Sequence, residues 1–507
     1  MFNIGEYNMK ILKYISASVL ASVLLLSSCS QDFTDVKNTA YLDSKTAAEI
    51  AASDPSALES YLLGAFSFLV QFNVSGNSAH DDFSHMSVLH STDMMGGDIA
   101  MSASHWFNYD YQHDNHEFNY RRTLVDWSTY YTTIAKANEI ISFFPEEPAD
   151  IQAKGVMAHG YALRAFAYYY LIQLYQHPVT TSGDVNWDAP GVPMYYVAPD
   201  GLTTEEQEAR KGRNTVKMVY EQIESDLLKA VALLEQGYVR PSKNYIDASV
   251  ANGLLARYYL LSQQWDKAIS AAQKAYSGYT LDPKITNAFN DITHSEWMWG
   301  FDHNAETQTT YASFFSHISN LAGGYAGLAY ASRLIDAKLY QSIPETDIRK
   351  TFFNGPEGDA TQTSAGAKLP YAGLKFGWLA GWVMDYMYMR APEMYLIEAE
   401  AQAHLGHGDL AAQALAPLMK VRDKGWHASS MTVEDVYQQR RIELWGEGFS
   451  FFDLKRLNKG IDRNYAGNNH LPGYQLTIPA LAKTWIYQIP NREMQENTAL
   501  TDEDQNE

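Results

Sequence analysis

The chain has 507 residues, 46% of them apolar, and a formal net charge of −21. So acidic a surface repels phosphate backbones and anionic lipid, which argues against both as ligands. Cys29 is the single cysteine, so no internal disulfide can form and the fold must hold by burial, for which the chain is long enough.

Residues 1–28 read as a secretory signal: Lys10 and Lys13, then the apolar stretch Ile15 to Leu26, then Ser27 and Ser28. A membrane span needs about 20 apolar residues, and this run is nearer a dozen. Cys29 follows directly, and Leu26-Ser27-Ser28-Cys29 resembles a bacterial lipobox, in which the thiol takes a diacylglycerol and the peptide is cut before it. Cys29 is therefore the expected lipidation site and the link to the membrane. The acidic Glu6 sits where a signal should begin basic, so Met9 suits a start better than Met1. Removing residues 1–28 leaves the mature chain more acidic still. Residues 29–46 are polar, with Gln31, Asp32 and Asp35, and are expected to be a linker. Acidic residues just after the cysteine resemble the surface-export signal of Bacteroidetes lipoproteins. The remainder, 47–507, is expected to be one folded domain, with no further segment long and apolar enough to cross a membrane.

That domain reads as helical. Pro55 to Asn73 follows a Ser53-Asp54 cap and carries Leu58, Leu62, Ala65, Phe66 and Leu69 at helical spacing. Val125 to Phe144 is stopped by Pro145 and Pro148. Gln152 to Gln176 and Thr215 to Gln236 follow, then Asp247 to Ser262, Trp265 to Tyr276, Arg390 to Leu405, Asp409 to Lys424 and Val433 to Trp445. Two pairs joined by short turns look alike, at 251–276 and 392–424, with alanines where paired helices would touch. They predict degenerate tetratricopeptide-type hairpins. Four long stretches interrupt the helices, at 75–122, 177–213, 281–332 and 352–387. Loops of that length inside a domain are usually functional.

The chain resembles the SusD/RagB family of lipid-anchored Bacteroidetes uptake proteins. The segment 439–456 is similar to that family's Glu-Arg-Arg-x-Glu-Leu…Glu-Gly…Asp-Leu-x-Arg run, through Arg440, Arg441, Glu443, Leu444, Glu447, Gly448, Asp453, Leu454 and Arg456. Arg390, Glu393, Tyr395, Leu396, Ala399, Glu400 and Ala401 match a second family helix, Val421-Arg422 its Val-Arg pair, and 162–168 and 127–138 two upstream helices. Gln439 stands where the family usually has Glu, Ser450 where a basic residue is common, and the usual closing Gln-Asn-Pro-Gly-Tyr is absent. The resemblance implies an all-α, SusD-like fold on the outer face of the outer membrane. It implies an oligosaccharide ligand and a SusC-like TonB-dependent transporter as partner. It implies neither catalysis nor a cofactor. Peptide uptake of the RagB type, an all-α glycosidase and a lid without ligand contacts are the alternatives.

The residues carry their own reading. Arg164, Arg390, Glu393, Arg440, Arg441, Glu443 and Asp453 lie at helical spacings that suit an interior polar network, because buried charges need partners. His113 and His116 are three apart beside Asp110, Asp114 and Glu117, a weak metal signal in a polar loop. No nucleophile motif or selected carboxylate pair is visible. The chain holds 35 Tyr and 11 Trp, side chains with a flat apolar face and a polar edge, suited to sugar rings as well as to packing. The expected aromatic contacts are Trp106, Tyr109 and Tyr111, with Asp93, Asp98 and Asn108 as polar partners. Trp299, Tyr311 and Tyr325 form a second group, and Trp378 and Trp382 a third.

Overall fold

The computed structural model describes residues 58–507 except 145, 198–199, 286–288 and 309. The signal 1–28, Cys29, the linker 29–46 and the start of the first expected helix lie outside the described residues. The chain divides into two units, 1–49 and 50–507, and the second is described here.

This unit is mostly helical. In chain order it runs α1 (Glu59–Phe68), α2 (Ser84–Met95), β1 (Ile99–Met101), α3 (Asn108–Gln112), α4 (Arg121–Ser142), α5 (Ile151–Tyr175), α6 (Thr204–Ala209), α7 (Val216–Leu234), α8 (Ala248–Leu261) and α9 (Trp265–Tyr276). After these come β2 (Trp297–Phe301), α10 (Phe314–Ile318), β3 (Arg333–Ile335), α11 (Ala337–Ser342), β4 (Tyr386–Arg390), α12 (Ala391–His404), α13 (Gly408–Arg422), α14 (Val433–Glu443) and α15 (Ser450–Arg456). β5 (Ile461–Asp462), β6 (Thr477–Ile478) and α16 (Asn491–Glu496) complete it.

The nine expected helices all form. Side-chain caps start several: Asp150 accepts from Ala153 N at α5, and Asp247 from Val250 N at α8. α14 opens on a reciprocal Thr432–Asp435 capping box. α4 begins at Arg121, four residues before the expected Val125.

The helices pack in chain order: α4 on α5, α5 on α7, α7 on α8, α8 on α9 and α12 on α13. The two look-alike hairpins, far apart in sequence, also stack, with α9 against α12. Small residues permit the close approach. A Cβ at Gly160 of α5 would lie 2.8 Å from Ile141 Cγ1 of α4.

Two features depart from a purely helical expectation. Three two-stranded antiparallel sheets form among the described residues, β1–β3, β2–β4 and β5–β6. The loop expected at 75–122 contains α2, whose twelve residues are all buried. A helix covered on every side has no polar face, so its sequence shows no amphipathic period.

The expected interior ionic network is present. Glu443 accepts from Arg390 (2.6 Å), Arg349 (3.1 Å) and Arg422 (3.1 Å). Arg257 holds Glu393, Arg440 holds Asp453, and Arg164 binds both Asp226 and Asp200. Burial alone would raise the Glu443 carboxyl, but the three guanidinium groups outweigh it and hold it well below the usual range.

The acidic C-terminus is tied down as well. Arg213 donates to Asp504 O and Asn506 Oδ1, while the Asn506 amide reaches the carbonyls of Tyr175 and Tyr487.

Candidate functional site

Two of the long interruptions converge on one aromatic cluster, 80–122 from one side and 311–330 from the other. Local backbone geometry sets the first. Phe107 (φ 69°) and His113 (φ 56°), both left-handed, bracket the short helix α3. A bulky residue there costs on the order of 1–3 kcal/mol. What offsets the cost is the burial of the Phe107 ring against Phe83, His90 and His317, with the Arg122 guanidinium 5.2 Å from its centre. With Phe107 turned inward, Trp106 is left half-buried and Tyr109 is 55% exposed.

The second segment folds tightly on glycine. A Cβ at Gly327 would fall 1.7 Å from Ala322 O. The turn presents Tyr325, which stacks on His317 (5.0 Å, 14°) and meets His105 at 4.8 Å. Burial pushes the His317 imidazole down to about 3, so this floor is uncharged at neutral pH.

His80 joins the two segments. Its ring lies between Trp106 (5.7 Å, 27°) and Tyr311 (6.4 Å, 13°), and its Nδ1 is 2.7 Å from the Tyr325 hydroxyl. Tyr330 closes the cluster against His105 and Tyr325. From beneath, the fully buried Arg333 contacts His90 Nε2, Ala331 O and, at 3.5 Å, Trp106 O.

Beside the rings opens a cavity of about 430 Å³ lined by Trp106, Asn108, Tyr109, Tyr120, Asp81 and Arg121, among others. Its charges are internally matched. Arg121 grips Asp81 with both terminal nitrogens (2.7 and 2.9 Å), and Arg122 holds Asp110 (2.9 Å). Burial would raise Asp81, but Arg122 and Arg121 outweigh it and keep the carboxyl low. Asp114, with burial and Glu117 behind it, pushes the Tyr120 hydroxyl up, so the field at this rim is negative.

The structure thus brings Trp106, Asn108, Tyr109, Tyr311 and Tyr325 together. It gives other work to the remaining expected residues. Tyr111 is fully buried, its hydroxyl against His470 and its ring under the Arg463 guanidinium. Trp299 is fully buried in β2 and donates to Asn244 O. Asp93 is buried and accepts from the backbone N–H groups of Gly448 and Ser450; burial pushes its carboxyl up to about 7. Asp98 is buried and paired with Arg441 at 2.6 Å. Tyr111, Trp299 and Asp93 serve packing and backbone hydrogen bonding, which aromatic or acidic content alone does not distinguish from ligand contact, while Asp98 also borders a separate cleft. Trp378, 43% exposed, and Trp382 lie before β4, outside the ring contacts of the cluster.

His80, Asp81, His105, Tyr120, Arg121 and Tyr330 complete the site without having been singled out. His105 adjoins Trp106 in sequence and Tyr330 lies near Tyr325, whereas His80, Asp81, Tyr120 and Arg121 lie 14 to 26 residues from Trp106 and are brought in by the fold. His113 and His116 stack on each other in the interior, His113 against Met95 O. Among the described residues no group of three His, Cys, Asp or Glu could hold a metal ion.

Comparison with known proteins follows the same lines. Residues 41–260 match the family described as "Starch-binding associating with outer membrane", and residues 382–507 match the SusD family; together they span more than half of the chain. The SusD-like protein P2 of Formosa agariphila is 24% identical over 387 residues, 66% of this chain and 71% of that protein. A SusD-like carbohydrate binding protein from Bacteroides vulgatus superposes with a TM-score of 0.74 at 24% identity, covering 89% of this chain and 98% of that one. Surface glycan-binding protein A from Bacteroides uniformis gives 0.65 at 17% identity, covering 89% and 99%. A laminarin binding SusD-like protein gives 0.64 at 17%, covering 89% and 98%. The chain belongs to the SusD/RagB family.

Proposed function

We propose that this chain is a cell-surface glycan-binding lipoprotein that captures an oligosaccharide and passes it to a SusC-like TonB-dependent transporter. The observation that carries the reading is the cavity beside Trp106. Trp106, Tyr109 and Tyr120 line it beside a preorganised Arg121–Asp81 pair, and Tyr311, Tyr325 and Tyr330 extend the ring cluster through His80 and His105. Rings stack on the C–H face of a sugar, while the ion pair offers donors and acceptors to its hydroxyls. Relatives described as carbohydrate binding, glycan-binding and laminarin binding support the ligand class. No helix among the described residues is long and apolar enough to cross a membrane; a lipid on Cys29, which the Leu26-Ser27-Ser28-Cys29 run supports, would hold the chain at the membrane.

The pocket also indicates which glycans suit it. Both of its arginines are already neutralised by its aspartates, and the rim field is negative. Uncharged oligosaccharides should therefore bind, with uronic or sulfated ones of equal length at least about tenfold weaker, the equivalent of ~1.4 kcal/mol. Calorimetric titration of neutral, acidic and peptide panels tests this. Exclusive peptide binding would replace the glycan reading with the RagB type. Of the two pocket carboxylates, Asp110 is raised, by burial against the pull of Arg122. Product release lost in Asp110→Asn would make the protein a glycosidase.

Cys29→Ala should leave ligand affinity unchanged and move the protein from the membrane fraction to the soluble one. Retention of that variant in the membrane fraction would remove the lipid anchor from the proposal.

A further inference from the structure

A second cleft, of about 510 Å³, opens between α11, α14 and the chain around β5. It shares no lining residue with the aromatic cavity. One face of α14 fronts it with Glu434, Gln438 and Arg441, residues spaced four and three apart. These side chains form a continuous ladder. Gln438 Nε2 donates to Glu434 Oε1 (2.9 Å), and Arg441 Nη1 donates to Gln438 Oε1 (3.0 Å).

Both ends of the ladder are pinned by ions. Lys459 holds Glu434 at 2.7 Å, and the buried Asp98 holds Arg441 at 2.6 Å. The result is a fixed row of alternating donors and acceptors beside open space. Such a row loses little rotamer freedom when it meets a ligand.

A second observation points into the same cleft. Tyr437 is 5% exposed and lines the cavity, yet its hydroxyl makes no hydrogen bond among the described residues. The ring is packed away while the hydroxyl oxygen stays accessible from the cleft, where it is free to bond a ligand or water. Across from it, the exposed Lys338 ammonium has no carboxylate partner among the described residues and sits 5.8 Å from the Tyr465 ring.

The lining carries three cations (Lys338, Arg441, Lys459) and four carboxylates (Asp98, Asp336, Glu434, Asp462). That near balance disfavours a strongly charged ligand and suits one rich in hydroxyls that both donate and accept.

We propose that this cleft is a second saccharide site, one that grips a neutral sugar by its hydroxyl edges rather than by its ring face. The inference rests on the reading of the chain as a glycan binder. Under it, one oligosaccharide chain type meets two chemically different sites, a stacking site and an edge-binding site.

The test uses mature, full-length protein and three probes: maltohexaose, laminarihexaose and cellohexaose. Binding is measured by calorimetry and ligand-observed NMR, first in the wild type and then in Trp106→Ala/Tyr325→Ala. The expected result is weaker, saturable binding that survives in that double variant. Adding Tyr437→Phe and Gln438→Ala to it should cut the residual affinity at least fivefold. Tyr437→Phe removes one unpartnered oxygen and keeps the ring, so circular dichroism should show an unaltered fold. Wild-type binding that vanishes entirely in Trp106→Ala/Tyr325→Ala overturns the second site alone. So does residual binding indifferent to Tyr437 and Gln438. No binding of any probe by the wild type overturns this inference together with the glycan reading.

Discussion

Glu443→Ala should remove about 3–5 kcal/mol of unfolding free energy, the cost of breaking a buried ion pair from one side. Against a total stability of roughly 5–15 kcal/mol, that is enough to leave much of the protein unfolded or aggregated at 37 °C. The argument is one of charge balance. Around Glu443 the interior holds Arg349, Arg390, Arg422 and Lys375, facing Asp347, Glu296, Glu447 and Glu443 itself. Four cations meet four anions. Each arginine retains a second partner when Glu443 is lost, Asp347, Glu447 or Glu296, so no guanidinium is stripped bare. One positive charge is nevertheless left uncompensated among side chains buried from solvent. Glu443→Gln keeps the shape and should lose most of the same energy. Urea midpoints at pH 7 measure it, and a loss below about 1 kcal/mol would show that the network redistributes its charge. The direction in pH follows as well. The Glu443 carboxyl is depressed in the folded state, so its contribution is complete above the unfolded value near ~4.3 and fades as pH falls toward the folded value. The wild type should therefore lose stability on acidification below about pH 4, and Glu443→Gln should lose less over the same range.

How far the sequence reveals this molecule depends on which signals survive burial. Helices with one wet face, such as α7 and α9, announce themselves by period. The fully buried α2 does not, and it was expected to be loop. Family-type motifs located the ionic network through Arg390, Arg440 and Glu443, but not Arg257, Glu296 or Arg349, whose partners come from distant segments. For the site, local density of aromatics located Trp106 and Tyr325. It could not separate Tyr109 from Tyr111, two residues apart on α3, one 55% exposed and one buried. That difference is made by the left-handed turns at Phe107 and His113 and by the Arg463 guanidinium over the Tyr111 ring, neither of which a composition can display. Tyr311, Tyr325 and Tyr330 also lie between the two spans matched by the family models, at 41–260 and 382–507. One half of the ring cluster comes from matched chain and the other from the segment between.

Trp106→Ala should weaken oligosaccharide binding by about 30-fold or more, a loss of at least ~2 kcal/mol, the range of an interface hot spot. Trp106 is singled out because it belongs to both parts of the site. It stacks on His80, which carries Tyr311 and Tyr325 with it, and it lines the cavity itself. Removing it deletes a ring face and also unseats the ring that orders its neighbours, so the effect should exceed that of Tyr109→Ala, whose side chain stands free at the rim. Tyr325→Ala should approach it, because Tyr325 bridges His80, His105 and His317. Tyr111→Phe supplies the contrast. It removes a hydroxyl that faces His470 in the interior, so it should lower the melting temperature while leaving affinity alone. Affinity electrophoresis against a glycan series, with melting curves for each variant, reads both quantities. Trp106→Ala with wild-type affinity and a wild-type melting curve would mean that the ligand, if any, is held elsewhere on the chain. It would also reduce the aromatic cluster to packing between two loops. The half-buried position of Trp106, beside a preformed ion pair and an open cavity, favours the opposite result.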